Sequence, residues 1–259
     1  MGLNNYLEKL SSDLGLTFEE NEKVKSALKI LKQIIDTCLG GVLEHFCFGS
    51  YPRGTKLTHT VDKFSDVDYL IVFSKEEHEE PDDLVERLTE FVKGNFSQQN
   101  IIQIRPTCIV DINGILIELI PAYKDGKYLI NYKIPTATEE SIEWIPSIPN
   151  EHNNYLTKFD SEHEYYIIPV IRIIKYWNIL NKSIFSSYLL EHDLMFQHYP
   201  KFENISEYFF YTIDTLSGDT LDESGQITLN KFKELIQNIK NEQNQEVALH
   251  LLSTVLPFI

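Results

Sequence analysis

The sequence predicts a mixed α/β fold in two parts: a sheet-bearing lobe with N-terminal helices over residues 1–160, and a helical lobe over residues 161–259. Three observations predict it. Short β-rich runs separated by helical patterns fill the first half. Two of those runs flank Asn113-Gly114, the dipeptide suited to a tight hairpin. From Glu162 onward apolar residues recur at helical spacing, which predicts helices near 162–181, 186–198, 203–216 and 228–245.

A short helix is expected over Leu3 to Leu14. Thr17-Phe18-Glu19-Glu20 has the form of a capping box, and Val24, Ala27, Leu28, Leu31, Ile34, Ile35 and Cys38 then follow one helical face. Gly40-Gly41 ends that helix. Val42 to Phe48 and Val67 to Phe73 read as strands, and residues 81–93 as a helix with Pro81 in its first turn and Gly94 past its end. Pro106 to Ile112 and Ile115 to Ile120 form the Asn-Gly hairpin, and Gly126 to Ile130 reads as a further short strand. Residues 131–160, punctuated by Pro135, Pro146 and Pro149, read as an irregular crossover. Pro169 lies inside the next helical pattern, where it either kinks the helix or marks its true start.

Composition sets limits on function. In 259 residues, 42% are apolar and 12% aromatic, ample for a packed interior. No apolar run approaches the ~18 residues of a membrane span. The N-terminal stretch carries Glu8 and Lys9 and no apolar core of a signal peptide, so the expected location is cytoplasmic. Cys38, Cys47 and Cys108 have neither disulfide nor zinc-ligand spacing. The net charge of −16, with no run of three consecutive basic residues, argues against long nucleic acid as a partner. It leaves room for a small polyanion held by local groups and metal ions.

The candidate chemistry begins at Gly49-Ser50, which closes a predicted strand. Glycine permits close backbone approach to a ligand, and a helix starting there would turn N–H groups toward a phosphate; by itself the pair is an ordinary strand-end turn. Asp66 and Asp68 share one strand face, where two carboxylates repel unless a cation lies between them. Oxygen-only donors suit Mg²⁺. Glu118 interrupts the apolar face formed with Leu116 and Ile120, a burial that a shared cation would offset. Asp111, opposite Leu116 across the hairpin, is the competing third acid. In the helical part, Lys175 has the reach to meet a triphosphate, Ser187 opens a helix, and Tyr188 offers a ring for base stacking. Taken singly these three read better as a snorkelling lysine, a capping serine and a core tyrosine.

In order along the chain, Gly49-Ser50-Tyr51-Pro52-Arg53-Gly54-Thr55, Ser65-Asp66-Val67-Asp68, Glu118-Leu119-Ile120-Pro121, Arg172-Ile173-Ile174-Lys175-Tyr176-Trp177-Asn178 and Ser186-Ser187-Tyr188-Leu189-Leu190-Glu191 resemble the polymerase-β-like nucleotidyltransferase superfamily. Within it they are most similar to the cyclic GMP-AMP synthase-like enzymes, called CD-NTases in bacteria, and to oligoadenylate synthetase. The resemblance implies an active-site cleft between the two lobes. It makes Asp66, Asp68 and Glu118 the catalytic, metal-binding acids. Gly49, Ser50, Lys175 and Ser187 become triphosphate-binding residues, and Tyr188 the residue stacked on the donor base. Many relatives carry Asp where this chain has Glu118. The implied cofactor is Mg²⁺, two ions, with Mn²⁺ as a substitute. The implied substrates are NTPs, ATP and GTP among them. The implied reaction is two-metal phosphoryl transfer to a second nucleotide, closing a cyclic di- or oligonucleotide with release of pyrophosphate. Its product would signal to a separate effector in phage defence. The rival expectations are an RNA-tailing or CCA-adding enzyme, which needs a basic face, and a catalytically inactive nucleotide-binding protein, which the intact acidic triad disfavours.

Overall fold

A computed structural model describes residues 2–74, 80–103, 106–125, 131–137 and 142–259. The strand expected over Gly126 to Ile130 lies outside the described residues. Along the chain the helices are α1 (Leu3–Leu14), α2 (Phe18–Cys38), α3 (Pro81–Asn95), α4 (Pro149–Glu162), α5 (Ile167–Leu180), α6 (Ser187–Phe196), α7 (Ile205–Thr215), α8 (Glu223–Asn241) and α9 (Gln245–Val255). The strands are β1 (Val42–Cys47), β2 (Val67–Phe73), β3 (Ile101–Gln103), β4 (Cys108–Ile112), β5 (Ile115–Asp125), β6 (Asn131–Ala137) and β7 (Ile142–Ser147). No helix among the described residues is long and apolar enough to cross a membrane.

The chain divides into two compact units, one of residues 18–53 and 64–154, the other of residues 1–17, 54–63 and 155–259. This differs from the expected boundary at residue 160. The reason is the apolar face of α1: Tyr6, Leu7, Leu10 and Leu14 are buried in the same core as Ile167, Val170, Ile171 and Ile174 of α5. The N-terminal helix therefore belongs with the C-terminal helices. Residues 54–63 join it through Leu57, buried in that core, and through the Thr58 N–H, which donates to the Leu14 carbonyl at 2.9 Å.

The sheet of the first unit has the strand order β1-β2-β5-β4-β3, with β6 paired to the end of β5 and β7 to β6. β2 and β5 run parallel, and their neighbours pair antiparallel. The Asn-Gly hairpin forms as expected: Asn113 and Gly114 both have positive φ, 56° and 83°, and Asp111 pairs with Leu116. Alternation sorts the strand side chains. Val67, Tyr69, Ile71, Phe73, Ile117 and Leu119 join a core with α2 and α3, while Leu70, Val72, Ile120 and Ala122 form a small cluster of their own.

Several expectations are corrected. The described residues of 131–160 are not irregular: they form β6, β7 and most of α4. Proline lacks a donor and is tolerated where a strand has an open edge. Pro146 lies in β7, which has a partner on one side, and Pro135 lies beyond the part of β6 that pairs with β5. Pro169 falls in the first turn of α5, marking its true start. Gly94 lies within α3, and the C-terminal pattern resolves into α8 and a separate α9.

Candidate active site

The parallel register of β2 and β5 makes Asp68 and Glu118 direct partners. Asp66 stands one residue ahead of β2. Each of the three offers a carboxylate oxygen within 4.8 Å of the others, and all three are half-buried. This is the cluster expected from the sequence. Carboxylates so close repel one another, and a hard divalent cation matches both their charge and their oxygen donors. Burial pushes the Glu118 carboxyl above its ordinary range; a hydrogen bond from Thr107 lowers it, and the Asp66 charge raises it further.

Asp111, the alternative third acid, is used elsewhere. Its Oδ1 accepts the Gly114 N–H at 2.6 Å and so stabilises the hairpin turn. It stands on the rung Asp111–Leu116, two residues from the rung Ile109–Glu118.

Gly49 touches the acidic cluster directly. Its φ is +78°, and a Cβ built on it would lie 1.8 Å from Asp68 Oδ2 and 2.7 Å from Asp68 Cγ. The Phe48 N–H donates to the Asp68 carbonyl at 3.0 Å, which holds the end of β1 against β2. No side chain other than hydrogen fits at residue 49 while Asp68 keeps its place. The chain turns after Gly49-Ser50 as expected, in a run of turn residues through Gly54 with half-buried Ser50 inside it, and no helix starts there. Pro52 and Gly54, whose φ is +73°, suit a turn better than a helix.

In the helical unit, Lys175 is buried, with 6% exposure. Its Nζ donates to Glu191 Oε2 at 2.9 Å and to the Thr55 carbonyl at 3.1 Å, and Thr55 Oγ1 donates to Glu191 Oε1 at 2.7 Å. The lysine expected to meet a triphosphate thus anchors residue 55 within its own unit. Ser187 is the first residue of α6, after the N-cap Ser186, and both are exposed. Tyr188 is 59% exposed, with its ring open to solvent rather than buried in the core.

Sequence reasoning missed the partners of these groups. Glu191 carried a usable signal: helical spacing sets it among the buried Leu190, Leu194 and Met195 of α6. Thr107, which bonds Glu118, and Gln103, which bonds Thr107, gave none, because these contacts depend on how β3 and β4 approach β5. A second polar chain, on another part of the sheet, links Asp36 Oδ1 to His45 Nε2 at 2.9 Å and His45 Nδ1 to the Tyr69 hydroxyl at 2.7 Å, tying α2 to β1 and β2.

A mixed sheet with three acids gathered where adjoining strands meet, and a glycine turn pressed against one of them, fits the class of nucleotidyltransferases. The sequence narrows that class. The profile of the Second Messenger Oligonucleotide or Dinucleotide Synthetase domain matches residues 1–159, more than half of the chain, and the chain belongs to this family. A search of curated protein sequences found no significant match.

Solved structures agree on the fold. The CD-NTase CdnG of Bradyrhizobium diazoefficiens, in complex with GTP, superimposes with a TM-score of 0.72 at 12% identity, over 96% of this chain and 95% of that one. CdnC of E. coli MS115-1, in complex with HORMA-deltaN, gives 0.69 at 16% identity over 98% and 96%. The Vibrio cholerae DncV cyclic AMP-GMP synthase, in complex with nonhydrolyzable GTP, gives 0.69 at 12% identity over 98% and 95%. The protein is therefore a nucleotidyltransferase of the second messenger synthetase family, and its likeness to these solved structures is one of fold.

Proposed function

We propose that this enzyme joins NTPs into a cyclic di- or oligonucleotide with release of pyrophosphate, and that the product signals to a separate effector in anti-phage defence. The observation that carries the reading is the meeting of Asp66, Asp68 and Glu118 within 4.8 Å in a chain of this family. Solved neighbours that hold GTP or ATP support NTPs as the substrates. The net charge of −16 favours a free nucleotide over long RNA as the acceptor, and the expected setting is the cytoplasm.

Asp66, Asp68 and Glu118 are the proposed ligands of Mg²⁺, two ions, with Mn²⁺ able to replace it. Bound there, the metal would supply positive charge to the α-phosphate oxygens and the departing pyrophosphate and would acidify the acceptor hydroxyl. The residues do the rest. Gly49 keeps the backbone at the end of β1 thin enough for Asp68 to sit against it. Ser50, in the turn that follows, is proposed to bond triphosphate oxygens. Exposed Ser187 offers its hydroxyl and the N–H groups of the first turn of α6 to phosphate, and Tyr188 offers its ring to the donor base. The contacts of Lys175 support a narrower role than direct triphosphate binding: with Glu191 it fixes the chain at Thr55.

Replacing Asp66 and Asp68 together by Ala is expected to abolish pyrophosphate release from a mixture of the four NTPs in Mg²⁺. Mass spectrometry of the wild-type products is expected to show a phosphatase-resistant cyclic species. Unchanged release in the double variant defeats the metal-site assignment, and growth of an added RNA favours the tailing enzyme instead.

A further inference from the structure

Glu118 is held from the side of β3 and β4 as well as by its own strand. Thr107, just ahead of β4 and buried, donates its hydroxyl to Glu118 Oε1 at 2.5 Å. Gln103, the last residue of β3, donates its Nε2 to the Thr107 carbonyl at 3.3 Å and to Thr107 Oγ1 at 3.2 Å. The direction of this chain is fixed by chemistry. A carbonyl oxygen only accepts, so the amide nitrogen of Gln103 must face residue 107. Having accepted that N–H, the Thr107 hydroxyl keeps its one proton for Glu118. A glutamate has one more rotatable bond than an aspartate, so its carboxylate wanders further unless something outside its own strand holds it.

We propose that Thr107, oriented by Gln103, is a positioning residue for the metal centre: it fixes one oxygen of Glu118 so that the carboxylate presents the other to the cation. The inference rests on the metal-site reading above. Partners that orient ligands in this way typically account for about 10–100-fold in metal affinity.

The test is Mn²⁺ binding to the nucleotide-free protein, followed by electron paramagnetic resonance, with thermal unfolding as a check on folding. Thr107→Val, which keeps the shape and removes the hydroxyl, is expected to weaken binding about tenfold or more. Thr107→Ser, which restores the hydroxyl, is expected to recover most of the affinity. In a Glu118→Asp background, whose shorter carboxylate falls short of Thr107, adding Thr107→Val is expected to change affinity less than about twofold. Wild-type affinity in Thr107→Val overturns the inference and leaves the metal site standing, as does equal weakening in Thr107→Val and Thr107→Ser. Mn²⁺ binding that survives replacement of Asp66 and Asp68 by Ala overturns the metal-site reading, and the inference with it.

Discussion

Gly49→Ala tests whether the glycine turn exists to let Asp68 into place. Two costs follow from the structure. At a φ of +78° an L-residue carries a left-handed strain of about 1–2 kcal/mol that glycine escapes. The added methyl would also lie 1.8 Å from Asp68 Oδ2, and carbon approaches below 3.0 Å are not sustained, so the carboxylate must retreat by about 1.2 Å or the turn must move by as much. The strain alone lowers the midpoint of thermal unfolding by about 2–8 °C, at about 2–4 °C per kcal/mol for a chain of this size. The displacement matters more for catalysis, because an error of about 1 Å in a reacting group costs about 100-fold in rate. Pyrophosphate release in Mg²⁺, measured beside thermal unfolding, separates the two. The expected result is a modest loss of stability with about a 100-fold loss of turnover. A variant that unfolds a few degrees early yet turns over at the wild-type rate refutes the argument, since the methyl would then have been absorbed without moving Asp68.

Other perturbations probe the same architecture. Because burial raises the Glu118 carboxyl above its ordinary 4.5, the folded protein holds that proton more tightly than the unfolded chain does. The contribution to stability is complete below pH 4.5 and is lost as pH rises through the raised folded value. Metal-free Glu118→Gln is therefore expected to unfold at a higher temperature than the wild type near pH 7.5, with the gap closing toward pH 4, while losing activity; thermal scans across pH check this. Lys175→Met leaves Glu191 charged and buried without its partner, an expected loss of about 3–5 kcal/mol in chemical denaturation, and the pair Lys175→Met with Glu191→Leu is expected to recover part of it. Tyr188→Ala, at a site 59% exposed, is expected to leave the unfolding midpoint within about 1–2 °C of the wild type and to raise KM for the NTPs.

How far the site was legible follows from which interactions are local. The Asn113-Gly114 hairpin was readable because its φ requirement is met by two adjacent residues, and its register then placed Glu118 on the expected face. Asp66 and Asp68 were readable from the two-residue period of a strand. Their meeting with Glu118 was not a local fact, since it depends on the parallel pairing of β2 with β5 across a 41-residue connection that no short pattern specifies. 

The connection runs from Phe73 at the end of β2 to Ile115 at the start of β5, and it carries α3, β3 and β4. The close approach of Gly49 to Asp68 was equally hidden, although a glycine at a strand end was visible. β6 and β7 were missed for a different reason: prolines that signal a loop in isolation are compatible with a strand whose donor side is open. The N-terminal helix was found, but its place with α5 was not, because an amphipathic face states that a helix packs and leaves open what it packs on.

The Glu118 corner joins stability to function. A carboxylate beside Asp66, in a setting that raises its proton affinity, is an unfavourable element of the metal-free fold. Thr107 and Gln103 offset part of that cost by supplying a directed hydrogen bond, but they add no positive charge. A divalent cation adds it, and any ligand that binds only the folded state stabilises that state in proportion to the logarithm of its concentration over its dissociation constant. The acids that destabilise the empty fold are thus the same groups that make cation binding favourable. Removing one of them should therefore act in opposite directions on the two states: Glu118→Gln relieves the metal-free protein and weakens the stabilisation that Mg²⁺ confers on it. A structural carboxylate without a role in binding a cation would show the first effect without the second, so the difference in unfolding temperature with and without Mg²⁺, compared between wild type and Glu118→Gln, separates a metal ligand from a merely buried acid.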